Sequence, residues 1–250
     1  MRCCALHRNR VYYPVSVIIL ICFILFTAGW VQGVSGFGSA MIAIPLLTLI
    51  VDIKTAVPLC SLASTVIATY MTLQLRHSFD LKKIGPLCVG SVPGIALGAT
   101  LLKTVPSHII QALMGVFLIG YGVYNLFFII PPRRLHRRWG YLAGFLTGAI
   151  GAALSAGGPP TIIYTTLNNW SKDEIKATLS GFFCFASYIV IIAHLATGLT
   201  TQTVLKTFLV SGPFILLGTA LGTYCYRFFK KEIYLKVVFT CLIVMGIMMI

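Results

Sequence analysis

Gly29-Trp30-Val31-Gln32-Gly33-Val34-Ser35-Gly36-Phe37-Gly38 sets four glycines and a glutamine between two strongly apolar runs, residues 15–28 and 40–51. Each glycine in a helix interior costs about 1 kcal/mol relative to alanine. In lipid an interrupted helix also leaves backbone groups without water, and this is tolerated only where the backbone is buried in protein or lines a cavity. The stretch therefore reads as a broken membrane helix facing something other than lipid.

The rest of the chain agrees with a membrane setting. Of its 250 residues 58% are hydrophobic and 10% are charged, and its mean hydropathy is +0.94. Soluble domains carry about 25% charged residues, so this composition describes a polytopic membrane protein. The 19 Lys+Arg against 5 Asp+Glu give a net charge of +14. In a bilayer such an excess marks cytoplasmic loops, so it calls for lipid as partner and not for nucleic acid. The 8 cysteines are scattered, mostly within apolar runs, and show no CxxC or Cys/His cluster. They read as small buried hydrophobes, and neither a metal nor another cofactor is expected. The N-terminus resembles a signal peptide, but its apolar run continues into the glycine stretch and is read as a retained span.

Breaks at charges, prolines and glycines divide the chain into apolar segments at 14–33, 37–51, 55–75, 84–102, 107–130, 139–155, 159–168, 175–197, 205–226 and 233–250. A full span needs about 20 residues. The segments at 37–51 and 159–168 are short, and each follows a glycine-rich stretch, as half-helices would. If all ten cross, one side receives Arg76, Lys82, Lys83, Arg133, Arg134, Arg137, Arg138, Lys172, Lys176, Arg227, Lys230 and Lys231. The other receives Lys54, Lys103, Lys206 and the N-terminal arginines. The first side is then cytoplasmic; if one or both short segments re-enter without crossing, the N-terminus moves inside instead.

The two halves resemble each other. Gly29, Gly33 and Gly36 share the spacing of Gly144, Gly148 and Gly151 at an interval of 115 (144 − 29), and Gly94 and Gly98 match Gly218 and Gly222 at 124 (218 − 94). The expected fold is all-α: an inverted repeat of about five plus five helical segments with broken, Gly-rich helices. The expected organisation is a basic N-terminal segment at 1–13, a first transmembrane repeat at 14–130, a basic cytoplasmic linker at 131–138 and a second repeat at 139–250.

Transporters built this way place the substrate near the bilayer midplane, where the positive N-terminal ends of half-helices suit an anion. The candidate site comprises Gln32, Gly33, Ser35, Gly36, Gly38 and Ser39 from the first break, and Ser155, Gly157, Gly158, Pro159 and Thr161 from the second. His194 and Asn168 are candidates for a gate or coupling role. Every carboxylate falls in an expected connection, which suits an anion carrier better than a cation pump.

The Gly-rich hairpin, its second copy with Gly157-Gly158-Pro159, and the Pro93-Gly94-x3-Gly98 ahead of Lys103 resemble the TauE/SafE family of sulfite-exporter-like membrane permeases. The resemblance runs from about Val15 to Ile250. In the first copy Gly36-Phe37-Gly38-Ser39 stands where a Gly-Gly pair is common in the family. The resemblance implies an inner-membrane secondary transporter, not an enzyme, for sulfite, an organosulfonate or a related sulfur anion.

Two other readings arise. Gly33-Val34-Ser35-Gly36 and Ala193-His194-Leu195-Ala196-Thr197-Gly198 supply the Ser35 and His194 of a rhomboid-like intramembrane protease. That dyad has no need of a duplicated glycine pattern. A non-transporting membrane subunit is the third class. Neither the anion, the direction of transport, the coupling ion nor the oligomeric state is written in these residues.

Overall fold

A computed structural model of the chain describes residues 14–35, 38–75, 80–127, 135–168, 170, 172–225 and single positions between 240 and 250. Gly36, residues 1–13, Arg76, Arg133, Arg134, Arg227, Lys230, Lys231 and most of segment 233–250 lie outside the described residues, as do the side chains of Ser35, Lys172 and Lys176. Among the described residues the chain is all-helical. Its helices are α1 (Val15–Ser35), α2 (Ser39–Thr48), α3 (Ile53–Leu75), α4 (Leu81–Thr104), α5 (Ser107–Phe127), α6 (Arg138–Leu154), α7 (Gly158–Leu167), α8 (Lys172–Ala196) and α9 (Gln202–Cys225). Six of them, α1, α3, α4, α5, α8 and α9, are long and apolar enough to cross a membrane. The chain is a multi-pass membrane protein.

Local sequence accounts for the breaks. Gly38 has φ 93, a left-handed backbone that glycine adopts without the clash a Cβ brings, and α2 starts at the next residue. Gly157 precedes α7, and Pro159 and Pro160 follow in its first turn, where proline's missing N–H removes no helical hydrogen bond. Both short helices have 10 residues. At 1.5 Å per residue that is about half of a 30 Å hydrocarbon core.

Contacts along the helices give their directions. Gly90, Gly94 and Gly98 of α4 meet the backbone of Tyr141, Phe145 and Ala149 of α6, so these two helices run parallel. Gly29 and Gly33 of α1 meet Ile215 and Thr219 of α9, again in parallel. These approaches are close enough that a Cβ on Gly94 or Gly218 would overlap the carbonyl of Phe145 or Phe26. Small residues allow such packing between membrane helices, where van der Waals contact replaces the hydrophobic drive. α7 folds back along α6. The Thr147 and Thr161 hydroxyls lie 2.6 Å apart, and the Leu135 N–H donates to Asn168 Oδ1 at 3.3 Å.

The ends of the helices sort onto two sides. Lys54 Nζ donates to the Lys103 carbonyl at 3.1 Å, joining the start of α3 to the end of α4. On the opposite side Lys83 pairs with Glu174, joining the starts of α4 and α8. α6, parallel to α4, enters from the Lys83 side, and α7 returns to it. α8 crosses to the Lys103 side, where α9 begins, so α1 enters from the Lys103 side. Each short helix thus folds back toward the side its preceding helix entered from, with Lys54, Lys103 and Lys206 on one side and Lys82 and Lys83 on the other.

Helix bounds recur at one interval. α1 and α6 end at Ser35 and Leu154, α2 and α7 start at Ser39 and Gly158, and α3 and α8 start at Ile53 and Lys172, each pair 119 residues apart (154 − 35, 158 − 39, 172 − 53). The packing agrees. Gly29 meets the carbonyl of Ile215, and Gly148, 119 residues later, meets that of Ser91, 124 residues before Ile215. The glycine spacing gave 115, which differs by about one helical turn. A glycine pattern repeating every turn does not distinguish registers one turn apart.

Buried apolar side chains form two clusters. One joins α1, α2, α3, α5 and α9 through residues such as Leu25, Ile44, Leu59 and Ile215. The other joins α4, α6, α7 and α8 through Leu87, Ile95, Tyr164 and Phe182. Between them α3 and α8 are tied by polar contacts, Thr69 Oγ to the Tyr188 hydroxyl at 3.1 Å and Thr72 Oγ to the Ser180 carbonyl at 3.0 Å.

Candidate functional site

A cavity of about 110 Å³ lies between the two breaks. From the first half Gln32, Gly38, Ser39, Ala40 and Met41 line it. From the second come Thr147, Gly148, Gly151 and Ser155 through Gly158. The starts of both short helices therefore face one space. The side walls belong to the paired central helices, with Ser61, Ser64 and Ala68 on α3 and Phe183, Ala186, Ser187 and Val190 on α8. These positions sit near the middle of helices Ile53–Leu75 and Lys172–Ala196, which puts the cavity at mid-depth.

The lining is largely apolar, with polar groups from Gln32, Ser39, Ser61, Ser64, Thr147, Ser155 and Ser187, and among the described residues no Lys, Arg, His, Asp or Glu contributes to it. Ser39 is 5% exposed, and α2 begins at this residue. Both N-caps are glycine, so no cap side chain takes the free amides of the first turn. The two starts differ in one respect. α2 presents Ser39, Ala40 and Met41, all with backbone N–H groups. α7 presents Gly158 and then two prolines, which have none. The field of both helix ends favours negative charge, but the amides that can hydrogen-bond an anion are concentrated on α2.

Ser155 anchors the second break. Its φ is 53, the only positive φ at a non-glycine among the described residues. Its N–H donates to the Gly151 carbonyl at 2.9 Å, and its Oγ lies 3.2 Å from Ser61 Oγ. A non-glycine residue in that region is strained, and such strain collects at functional sites.

Of the thirteen residues proposed from sequence, Gln32, Gly38, Ser39, Ser155, Gly157 and Gly158 line the cavity. Gly33 instead packs on α9. Pro159 is buried in the first turn of α7. Thr161 is fully buried against Thr147. Gly36 and the Ser35 side chain lie outside the described residues. Asn168 caps the far end of α7, its Nδ2 donating to the Tyr164 carbonyl at 2.8 Å. His194 is 1% exposed and donates from Nε2 to the Ala152 carbonyl at 2.8 Å. It faces the backbone of α6, so the Ser35–His194 protease reading gains no support. Sequence reasoning missed Thr147, Phe183, Ala186 and Val190. The helical spacing of 183, 186, 187 and 190 is the signal that could have exposed one face of α8, but apolar residues in an apolar span carry no mark of which face is wet. Among the described residues no group of His, Cys, Asp and Glu is placed to hold a metal.

A family model described as sulfite exporter TauE/SafE matches residues 21–249 of the chain. No curated protein and no solved structure matches it. The chain belongs to the TauE/SafE family, which is a family of membrane transporters.

Proposed function

We propose that this TauE/SafE protein is a secondary transporter of the cell inner membrane that moves a small sulfur-containing anion, such as sulfite or an organosulfonate, by alternating access around the cavity between α2 and α7. The observation that carries the reading is the mid-depth cavity itself, where two helix N-termini meet serine hydroxyls and no charged side chain. An anion there finds amide donors, hydroxyls and two favourable helix ends. A cation would meet the wrong end of both helices and no carboxylate.

The site proposed is Gln32, Gly38, Ser39, Ser61, Ser64, Ser155, Gly157 and Gly158. We read the two halves as an inverted repeat, 14–130 and 139–250, joined by a basic linker. Three observations support that reading: the recurrence of helix bounds at 119 residues, the matching α1–α9 and α4–α6 packing, and the entry of α1 and α6 from opposite sides. Alternating access then follows as rocking of one repeat against the other about a fixed site.

The test is a thermal-shift series on the purified protein with sulfite, sulfate, thiosulfate, taurine and sulfoacetate, because a ligand that binds only the folded state raises its melting temperature. A saturable shift with at least one anion, abolished by Gly158→Leu, is expected. Shifts equal to those of chloride throughout would reject the proposal.

A further inference from the structure

We propose that His194 is a positioning residue for the site, holding the second break through the Ala152 carbonyl; this rests on the transport reading of the cavity. Ala152 lies in the last turn of α6, which ends at Leu154. Its carbonyl is one of the four that a helix end leaves without a helical partner. The His194 ring, on α8, reaches it at 2.8 Å. A carbonyl only accepts, so the proton of that bond sits on Nε2. Three residues beyond Ala152 comes Ser155, strained at φ 53 and in contact with Ser61 across the cavity. The histidine thus grips the backbone just ahead of the residue that turns into the site.

Two further observations favour a positional role over simple packing. First, Nδ1 of His194 is buried without a hydrogen-bond partner. A buried nitrogen without a hydrogen-bond partner is destabilising, so an apolar residue would suit this position better for packing alone. Second, the grip belongs to one half only. At the 119 interval His194 and Ala152 correspond to Leu75 and Gly33, and Thr147 and Thr161 to Ala28 and Ile42. His194, which ties α8 to α6, and Thr147 and Thr161, which tie α6 to α7, are replaced in the first half by Leu75, Ala28 and Ile42, whose side chains carry no polar group. The second hairpin is therefore the fixed wall of the site, with His194 as its outer pin.

The experiment is hydrogen exchange on the full-length protein in detergent, comparing the parent with His194→Leu and His194→Gln. Glutamine keeps a side-chain N–H donor; leucine keeps the volume and removes it. Peptides covering 152–158 are expected to exchange about tenfold faster in His194→Leu and within about twofold of the parent in His194→Gln, while α9 peptides are unchanged. Protection at 152–158 that survives leucine, or is lost equally with glutamine, overturns the proposal. If the leucine variant does not fold, His194→Asn, whose amide is too short to reach, takes its place with the same expectation. Sulfite titration of the same samples should show about tenfold weaker binding in the leucine variant and near-parent binding with glutamine. A parent that binds no anion defeats the transport reading, whereas the exchange result still decides the grip.

Discussion

The hydroxyl of Ser155 lies 3.2 Å from that of Ser61, joining the break after α6 to the middle of α3 across the cavity. Ser155 holds this position at φ 53. Its side chain and its backbone therefore pull in different directions, the one useful to the site and the other strained.

Ser155→Gly and Ser155→Ala separate the two. A left-handed backbone costs an L-residue about 1–2 kcal/mol, and glycine pays none of it. Ser155→Gly is expected to match or exceed the parent's melting temperature, and Ser155→Ala to fall below the glycine variant. Both should weaken anion binding in thermal-shift titration. A glycine variant with full affinity would show that the hydroxyl does not touch the ligand.

Gly94 and Gly218 test the packing of α4 on α6 and of α9 on α1. A Cβ at either would run into a backbone carbonyl, which cannot swing aside. Alanine at each is expected to destabilise by about 1–3 kcal/mol through overpacking. Gly120→Ala is the control, since nothing lies within 4 Å of its added Cβ. It should be neutral or stabilising by up to about 1 kcal/mol. Melting curves in one detergent make the comparison.

Gly158 offers room that Gly94 does not. A Cβ there meets only Ile162 Cδ1 at 3.4 Å and Phe183 Cζ at 4.0 Å. Gly158→Ala should leave binding within about threefold of the parent, whereas Gly158→Leu should fill the cavity and abolish binding with little change in unliganded stability. Undiminished transport by the leucine variant in proteoliposomes would place the substrate elsewhere.

The hairpin geometry makes a prediction about sides. Lys103 and Lys54 share one side, and Lys83 and Glu174 share the other. Single cysteines at 54 and 103 in a cysteine-free background should react with a membrane-impermeant thiol reagent from one face only, and one at 83 from the opposite face. Labelling of 83 and 103 from the same face would dismantle the helix order described here. With the excess of Lys and Arg expected on the Lys83 side, position 83 is predicted to be labelled from the cytoplasmic face.

Much of this was legible in the residues. Composition alone placed the chain in a bilayer, and Gly-Phe-Gly-Ser and Gly-Gly-Pro-Pro marked both breaks, because glycine and proline change backbone geometry wherever they occur. Gln32, Ser39, Ser155 and Gly158 line the cavity, being adjacent to those breaks. Thr161 and Gly33 stood equally close in sequence and turned elsewhere, since a helix directs successive side chains about 100° apart. The helix bounds recur at 119 residues and the glycines at 115, one turn apart, because glycines one turn apart occupy the same face.

The sequence by itself determined that this chain spans a membrane and where glycine-rich stretches separate α1 from α2 and α6 from α7, because hydropathy and backbone stereochemistry are properties of residues and their immediate neighbours. Tertiary structure alone decided that the starts of α2 and α7 face one cavity, that α8 supplies an apolar wall through Phe183 and Val190, and that His194 hydrogen-bonds the Ala152 carbonyl of α6. Those facts depend on which face of each helix meets which neighbour, and between apolar helices that choice is made by close packing over distances the local sequence does not encode.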